Sequence, residues 1–437
     1  MAAVGFQAPA QTADQPAAWD LPQQAEDALV SSTGGRLMIG VESRYRFEDR
    51  TGVSFGKDTD QEEMLVRNRL SLTWNAADWL TLSAMMQDAR APLYGSVAPS
   101  SMRDTADLQE AWIRIGGESW AGISFSGGRK MLNYGDGRLI GTPQWTNTSR
   151  TYDFATLGWA KNGASLEILA TSVVKIQPDA FNNPVPGDRV WGYYGVHPWR
   201  TRKMTFESYY LRHDQNRIGG FIGGSQAAGT DRLGVNTFGG RMLGPLPRGF
   251  KLSLEGALQT GHIGPATQRA GAWYSGISRK WNPGRFTLEA LTEYKFASGS
   301  DDPSNKTSSG TFDQLYAANH DKFGHEDLLG WRNLHNWKSL LSVGLTRGLT
   351  VSYMYNNSWL ASARDALYNI SGKAVFESAN GTAGRHIGQE NDVFFTWKNG
   401  PVMFGSGLGY MCAGAFLTRM APNASPLYVY TFTAYAF

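Results

Sequence analysis

The sequence predicts an all-β protein: a transmembrane antiparallel β-barrel of about eighteen strands, with short turns at one end and long loops at the other. Three observations carry this. The first is the final stretch, Leu427 to Phe437, which reads Leu-Tyr-Val-Tyr-Thr-Phe-Thr-Ala-Tyr-Ala-Phe without a charge, Pro or Gly. At the edge of an open sheet such a strand would pair with the next molecule, and closing a barrel removes that hazard. The second is a period-two alternation of apolar and polar residues that begins at Arg36. The third is an alternation of short and long connections along the whole chain.

Composition agrees. The chain has 437 residues, 51 Gly and 12% aromatics, which suits many strands with tight turns and interfacial girdles. Mean hydropathy is −0.35, and there is no 18-residue apolar run for a transmembrane helix. A spanning strand alternates lipid-facing and lumen-facing side chains, so its hydropathy averages out. A single cysteine, Cys412, excludes an internal disulfide and makes a Cys-based metal site a poor reading. A net charge of +3 is a mild excess that matters only if the basic residues line a pore, and it gives no reason to expect a nucleic-acid partner.

Residues 1–35 are rich in Ala, Gln and Asp without periodicity and read as a flexible periplasmic tail; 36–437 read as the barrel. The tail has neither the basic n-region nor the apolar h-region of a secretory signal, as expected of a processed chain or of a start assigned downstream of the signal. In the first strand Leu37, Ile39, Val41, Tyr45 and Phe47 share one face, and Arg36, Glu42, Arg44, Arg46 and Glu48 share the other. In the second, about 63–75, Val66, Leu70, Leu72 and Trp74 face lipid, while Arg67, Arg69, Ser71 and Thr73 face the lumen. A third strand carries Leu80, Leu82, Ala84 and Met86 on one face. The same rule places strands near 107–116, 119–128, 151–160, 164–174, 189–197, 203–213, 232–242, 250–261, 270–281, 284–297, 336–346, 348–359, 385–398, 400–411 and 426–437. Each is close to the ~9–11 residues a tilted strand needs to cross a bilayer.

Every second connection is short: 75–78, 116–118, 161–163, 198–202, 243–249, 282–284, 347–348 and 399–400. These are rich in the Asn, Gly and Pro that hairpins use. The alternate connections are long: 49–62, 91–106, 129–150, 175–188, 214–231, 262–269, 298–335, 360–384 and 412–425. Short periplasmic turns and long extracellular loops are the outer-membrane arrangement. Trp74, Trp79, Trp120, Trp159, Trp199, Trp281 and Trp397 lie in or beside the short turns, where indole rings sit at headgroup level. The terminal Phe437, with Tyr435 two places before it, resembles the C-terminal signature of bacterial outer-membrane barrels. Outer-membrane lipid is thus the first expected partner.

By parity Arg44, Arg46, Arg67, Arg69 and Arg114 face the lumen, with Glu42, Glu110, Glu255, Glu390 and Asp392. Arg129, Arg138 and Arg150 fall in a long loop able to fold inward. Arg presents a planar fork that pairs a carboxylate bidentately and stays charged, so such a set suits an anion. The bland alternative is that these charges only pair across the wall. Arg44, Arg67, Arg69, Arg129 and Arg150 are expected around one narrow section, with Glu110 or Glu390 pairing some of them. Facing water, they should be replaceable without loss of stability. Loop 298–335 carries Phe312, Leu315, Tyr316, Phe323, Leu328, Leu329 and Trp331, enough apolar surface to pack over or inside the lumen. No cofactor is expected. His320 and His325 match no metal motif, although the loop acids Asp301, Asp302, Asp313 and Asp327 are oxygen ligands of the kind Ca2+ takes.

The run from Gly128 to Gly141 (Gly-Arg-Lys-Met-Leu-Asn-Tyr-Gly-Asp-Gly-Arg-Leu-Ile-Gly), continuing to Trp145 and Ser149-Arg150-Thr151-Tyr152-Asp153, resembles the alginate-export family of outer-membrane barrels. The blocks Gly310 to Tyr316, Asn319 to Lys322, Asp327 to Asn333 and Gly388 to Asp392 extend the resemblance over roughly 36–437. Asn391 and Tyr152 depart from the family pattern. The resemblance implies a monomeric barrel with an arginine-lined pore for an anionic, alginate-like uronate polysaccharide, with periplasmic export proteins as partners. A general or uptake porin for small anionic solutes is the alternative. An outer-membrane hydrolase is a third class, but His213 and His262 near strand ends have no serine nucleophile motif beside them.

Overall fold

The computed structural model describes Gly34 and residues 36–436 except 57–58, 217–231, 321, 423 and 425. The tail, Gly34 apart, and the terminal Phe437 lie outside the described residues. Eighteen strands form the wall: β1 Leu37–Thr51, β2 Gln61–Ala77, β3 Leu80–Arg90, β4 Asp104–Gly116, β5 Ile123–Lys130, β6 Tyr152–Lys161, β7 Ala164–Lys175, β8 Asp188–Trp199, β9 Met204–Gln215, β10 Leu233–Pro245, β11 Phe250–Ile263, β12 Ala266–Trp281, β13 Thr287–Ala297, β14 Leu334–Thr346, β15 Leu349–Leu360, β16 His386–Asn399, β17 Val402–Ala413 and β18 Leu427–Ala436. Each pairs antiparallel with its sequence neighbour. The sheet closes where β18 meets β1, with Arg50 opposite Tyr428 and Glu42 opposite Ala436.

Closure explains why the uncharged last strand is tolerated: both of its edges are bonded. Its aromatic rings need room, and β17 provides it. Gly405, Gly407 and Gly409 stand opposite Phe432, Tyr430 and Tyr428. A Cβ at Gly407 would lie 2.6 Å from the Tyr430 ring, and one at Gly405 2.4 Å from that of Phe432.

The outer wall is apolar. Tyr45, Leu70, Leu72, Ile168, Phe238 and Leu258 are exposed, as lipid contact requires. Trp74, Trp79, Trp120, Trp159, Trp199 and Trp397 are exposed at the short-turn end, forming the expected girdle. One connection differs from expectation. Region 262–269 reads as a long loop, yet β11 and β12 run on to a tight turn at Gly264 and Pro265. Here the strands themselves continue where a loop was expected, so polarity at the rim was misread as irregular chain.

The hydrophobic core lies inside the barrel. Loops 131–151 and 298–333 fold inward, and Leu132, Leu139, Ile140, Phe312, Tyr316, Phe323 and Trp331 pack with wall residues Tyr152, Tyr194, Tyr209 and Tyr274. Ile140 and Tyr316 form a parallel bridge. Around it Tyr316 N donates to Leu139 O at 2.8 Å, Gly141 N to Tyr316 O at 3.0 Å, and Ala318 N to Gly137 O at 2.8 Å. Backbone inside a barrel must find partners, and here each loop satisfies the other. Helix α1, Ala415–Met420, covers the extracellular end near β16, with Phe416 and Leu417 buried.

Candidate pore and its inward-folded loops

The register of β1 and β2 sets Arg44 directly opposite Arg67, and Glu42 opposite Arg69. Opposed residues share a face, and like charges placed so repel unless acceptors intervene. Loop 131–151 supplies acceptors. Arg44 Nη1 donates to Gln144 O at 2.9 Å, and its Nη2 to Trp145 O at 3.0 Å and Thr146 O at 3.2 Å. Arg67 Nη1 donates to Gln144 O and Thr146 O, each at 3.0 Å. Arg46 Nη1 also donates to Trp145 O. Arg69 reaches Gln144 Oε1 at 3.0 Å and Ser149 Oγ at 2.6 Å. The carboxylates paired with these arginines are Glu42, 2.6 Å from Arg67 and 3.5 Å from Arg69, and Glu48, 2.5 Å from Arg46. These four guanidinium groups thus meet two paired carboxylates and three main-chain carbonyls.

The opposite wall is balanced. Arg241 sits 2.7 Å from Asp136, 2.6 Å from Glu207 and 3.5 Å from Glu255. Arg138, from the first half of loop 131–151, lies 3.5 Å from Glu255, with its guanidinium carbon 3.6 Å from the Tyr274 ring centroid. Lys295 Nζ lies 2.7 Å and Lys338 Nζ 3.6 Å from Glu293. Burial opposes ionisation of Asp136, yet Arg241 and Arg138 outweigh it and hold its carboxyl below the usual range. This wall holds loop 131–151 by salt bridges; the first holds it by its carbonyls.

A column of flat groups crosses the lumen between the two loops. The Arg46 guanidinium lies 4.1 Å over the Trp145 ring. Trp145 stacks on His320 at 4.8 Å and 3°, and His320 on His325 at 5.4 Å and 14°. Trp145 Nε1 donates to Tyr428 OH at 3.1 Å. His320 Nδ1 is 2.9 Å from both Asp327 oxygens. Burial, then the neighbouring His320, keep His325 well below the usual imidazole range. Beneath it Glu326 N donates to Glu390 Oε1 at 3.0 Å. Burial and the charge of Glu390 push the Glu326 carboxyl up to about 9. On the far side His213 Nδ1 is 2.8 Å from Asp313 Oδ2, and Tyr316 OH donates to Asp188, which ties loop 298–333 to β8 and β9.

The structure brings Arg44, Arg46, Arg67 and Arg69 together, and it separates the others. Arg150 does turn inward, but to the seam between the loops: its Nη1 donates to Gly141 O at 3.1 Å and Tyr316 O at 2.7 Å. Arg138 joins the opposite wall. Arg114 lies deeper, donating to Thr81 Oγ1 at 3.1 Å. Arg129 is a correction. It belongs to β5, not to the inward loop, and at the rim it binds Asp153 at 2.7 Å and Asn182 O at 2.9 Å. The pairing is also corrected. Glu110 accepts from Met131 N at 2.8 Å and Glu390 from Glu326 N, while Glu42 pairs the arginines. Glu42, on the adjacent strand directly opposite Arg69, had the shorter reach. The strand arginines do not simply face water either. Arg67 is 1% exposed, because a loop lies over it. The four loop acids are dispersed: Asp313 is on His213, Asp327 on His320, Asp302 accepts from Ser304, and Asp301 is exposed. No group of three or more potential metal ligands is found among the described residues. Residues passed over in the sequence are Arg241, Glu207, Glu293, Lys295 and Lys338. Parity within their strands could have found them, since each alternates with exposed neighbours such as Phe238 and Trp337.

A family model described as alginate export matches residues 36–430. The chain belongs to the alginate-export family. No curated protein sequence matches it. Solved structures support the fold: Pseudomonas aeruginosa OccK3 (OpdO) superposes with a TM-score of 0.60 at 13% identity, covering 92% of this chain and 95% of that one. Pseudomonas aeruginosa OccK8 (OprE) gives 0.59 at 9% identity, covering 92% and 98%. The outer membrane protein OpdK of the same organism gives 0.59 at 9%, with the same coverage. This alginate-export family member is an outer-membrane channel.

Proposed function

We propose that the channel passes an anionic polysaccharide of uronate type along the β1–β2 wall, and that the tip of loop 131–151 occupies this path at rest. One observation supports the reading above others. The carbonyl oxygens of Gln144, Trp145 and Thr146 stand at the guanidinium forks of Arg44, Arg46 and Arg67. A carboxylate is the better partner for such a fork, because the ionised acceptor makes a stronger hydrogen bond than a neutral carbonyl. Successive sugar carboxylates can therefore replace the carbonyls once the loop moves. Several adjacent arginines also give several weak sites, which a moving polymer needs in order to leave as well as enter. His213 has buried acids beside it, yet its ring is spent joining β9 to loop 298–333, so no hydrolytic role is assigned.

Planar bilayers test the reading. Oligouronates should block the conductance of the channel, and neutral oligosaccharides of equal length should not. Passage of small anions without any oligouronate block would favour a porin for small anionic solutes instead.

A further inference from the structure

A cavity of about 150 Å3 opens at the extracellular mouth between the loop after β1, loop 298–333, the loop after β15 and the start of β18. It is smaller than the ~300 Å3 at which sites for drug-sized ligands begin, so it admits about one sugar ring. Its polar lining includes Arg50, Glu326, Asp327 and Asn369; Val53, Ile370 and Leu427 supply apolar surface. We propose that this cavity is a uronate subsite, which holds one acidic sugar of a chain as it leaves the lumen. The proposal rests on the export reading above.

Three features point to an acidic sugar. Arg50 uses Nε and Nη2 on Glu48 and Nη1 on the Glu326 carbonyl. That is three of the five N–H donors of a guanidinium, and two remain for a carboxylate. Glu48 is already counted among those bonds, and the two acids of loop 298–333 that line the cavity are also committed. Asp327 has both oxygens on His320, and Glu326, pushed up to about 9, is neutral near pH 7. Asn369 Oδ1 is taken by Ser371 and Lys373 of its own turn, while its Nδ2 is free to donate to a sugar hydroxyl. The lip of the cavity is also strained. Ser54, Phe55 and Asp327 hold φ of 55°, 63° and 58°, left-handed conformations that side chains rarely adopt and that gather at ligand sites. An apolar floor beside a few converging polar groups is the usual form of a small-molecule site, and a pyranose ring presents the matching pair of faces.

The test measures equilibrium binding of D-glucuronate and D-glucose to the full chain in detergent micelles by saturation-transfer NMR, with gel heat-modifiability as the check of folding. Glucuronate should bind with millimolar Kd, and glucose about tenfold more weakly. Ile370→Trp, which fills the cavity without touching a charge, should weaken glucuronate binding by about tenfold or more. Asn369→Ala should weaken both sugars, and Arg50→Gln should make them equal. Absence of glucuronate binding by the wild type, equal binding of glucose, or undiminished binding by folded Ile370→Trp would each overturn the subsite. Oligouronate block of conductance is read separately. Block that persists while Ile370→Trp binds glucuronate like the wild type removes the subsite and leaves the export reading. Glucuronate binding lost in Ile370→Trp, with no block in the wild type, does the reverse.

Discussion

The two ends of the lumen are built on different principles. Toward the long loops, lumen-facing positions are large, charged or aromatic, and two loops bond to them. Toward the short turns the same strands turn to Gly40, Ser71, Thr73, Ser83, Ser126, Ser253, Ser278 and Ser342, which are half-exposed. There the hydroxyls bond across strands, Thr73 to Ser83 at 2.9 Å and Ser342 to Ser352 at 2.8 Å. One wall thus serves both as a socket for a plug and as a vestibule lined mainly by small hydroxyl side chains, with Arg114, Lys251 and Glu289 among them. The difference is made by side-chain size along each strand, not by any change of fold.

If the plug is what closes the channel, then replacing 143–147 with two glycines should have the largest effect. The arginines would lose their carbonyl acceptors while the barrel keeps its strands. Single-channel conductance should rise by about tenfold or more, as expected when a constricting loop is removed. An unchanged conductance would place the barrier elsewhere.

Charge reversal on the same wall ranks next. Arg67→Glu with Arg69→Glu should invert the anion preference seen in reversal potentials. It should also loosen loop 131–151, because Glu42 is left buried without its cations, and breaking a buried pair costs about 3–5 kcal/mol. Protease cutting of that loop measures the second effect. Retained anion selectivity in a folded double variant would end the arginine-path mechanism.

Protons should act on the plug end alone. Glu326 has a folded-state value raised to about 9 against the ordinary 4.5. The folded state therefore holds the proton that the unfolded loop would release. Its arrangement is favoured below pH 4.5 and is progressively penalised as pH rises toward 9. Hydrogen-exchange protection factors in loop 298–333, which correct for the intrinsic pH dependence of exchange, should fall across that window, and Glu326→Gln should flatten the trend. A slope unchanged in Glu326→Gln would assign it to other groups.

At the seam, Gly407→Val should force the Tyr430 ring aside and cost about 1–3 kcal/mol, an overpacking effect, read as a lower urea midpoint of unfolding. The smallest effect belongs to the vestibule. Ser342→Ala removes one hydroxyl pair, worth about 1 kcal/mol at most where water can replace it, and conductance should not change. A large change there would erase the contrast between the two ends.

How much of this was legible follows the same division. Strand number, girdle and lumen face could be read because period two is a local property: Arg44 and Tyr45 differ in environment by one position. The closing pair β18–β1 was legible from composition alone. What Arg67 touches was not. Its partners Gln144 and Thr146 lie 77 and 79 residues away, and no pattern near Arg67 encodes them. Arg129 was misplaced for a related reason. Whether β5 ends before or after it decides between wall and loop, and strand ends are set by what packs on them.

The bridge between Ile140 and Tyr316 also orders events in time. Its halves come from loops separated by eight strands, and such distant contacts form only after the chain between them is arranged. The wall must therefore stand before its filling does. Until the two loops meet, Arg150 lacks its Tyr316 acceptor and the seal between them is incomplete.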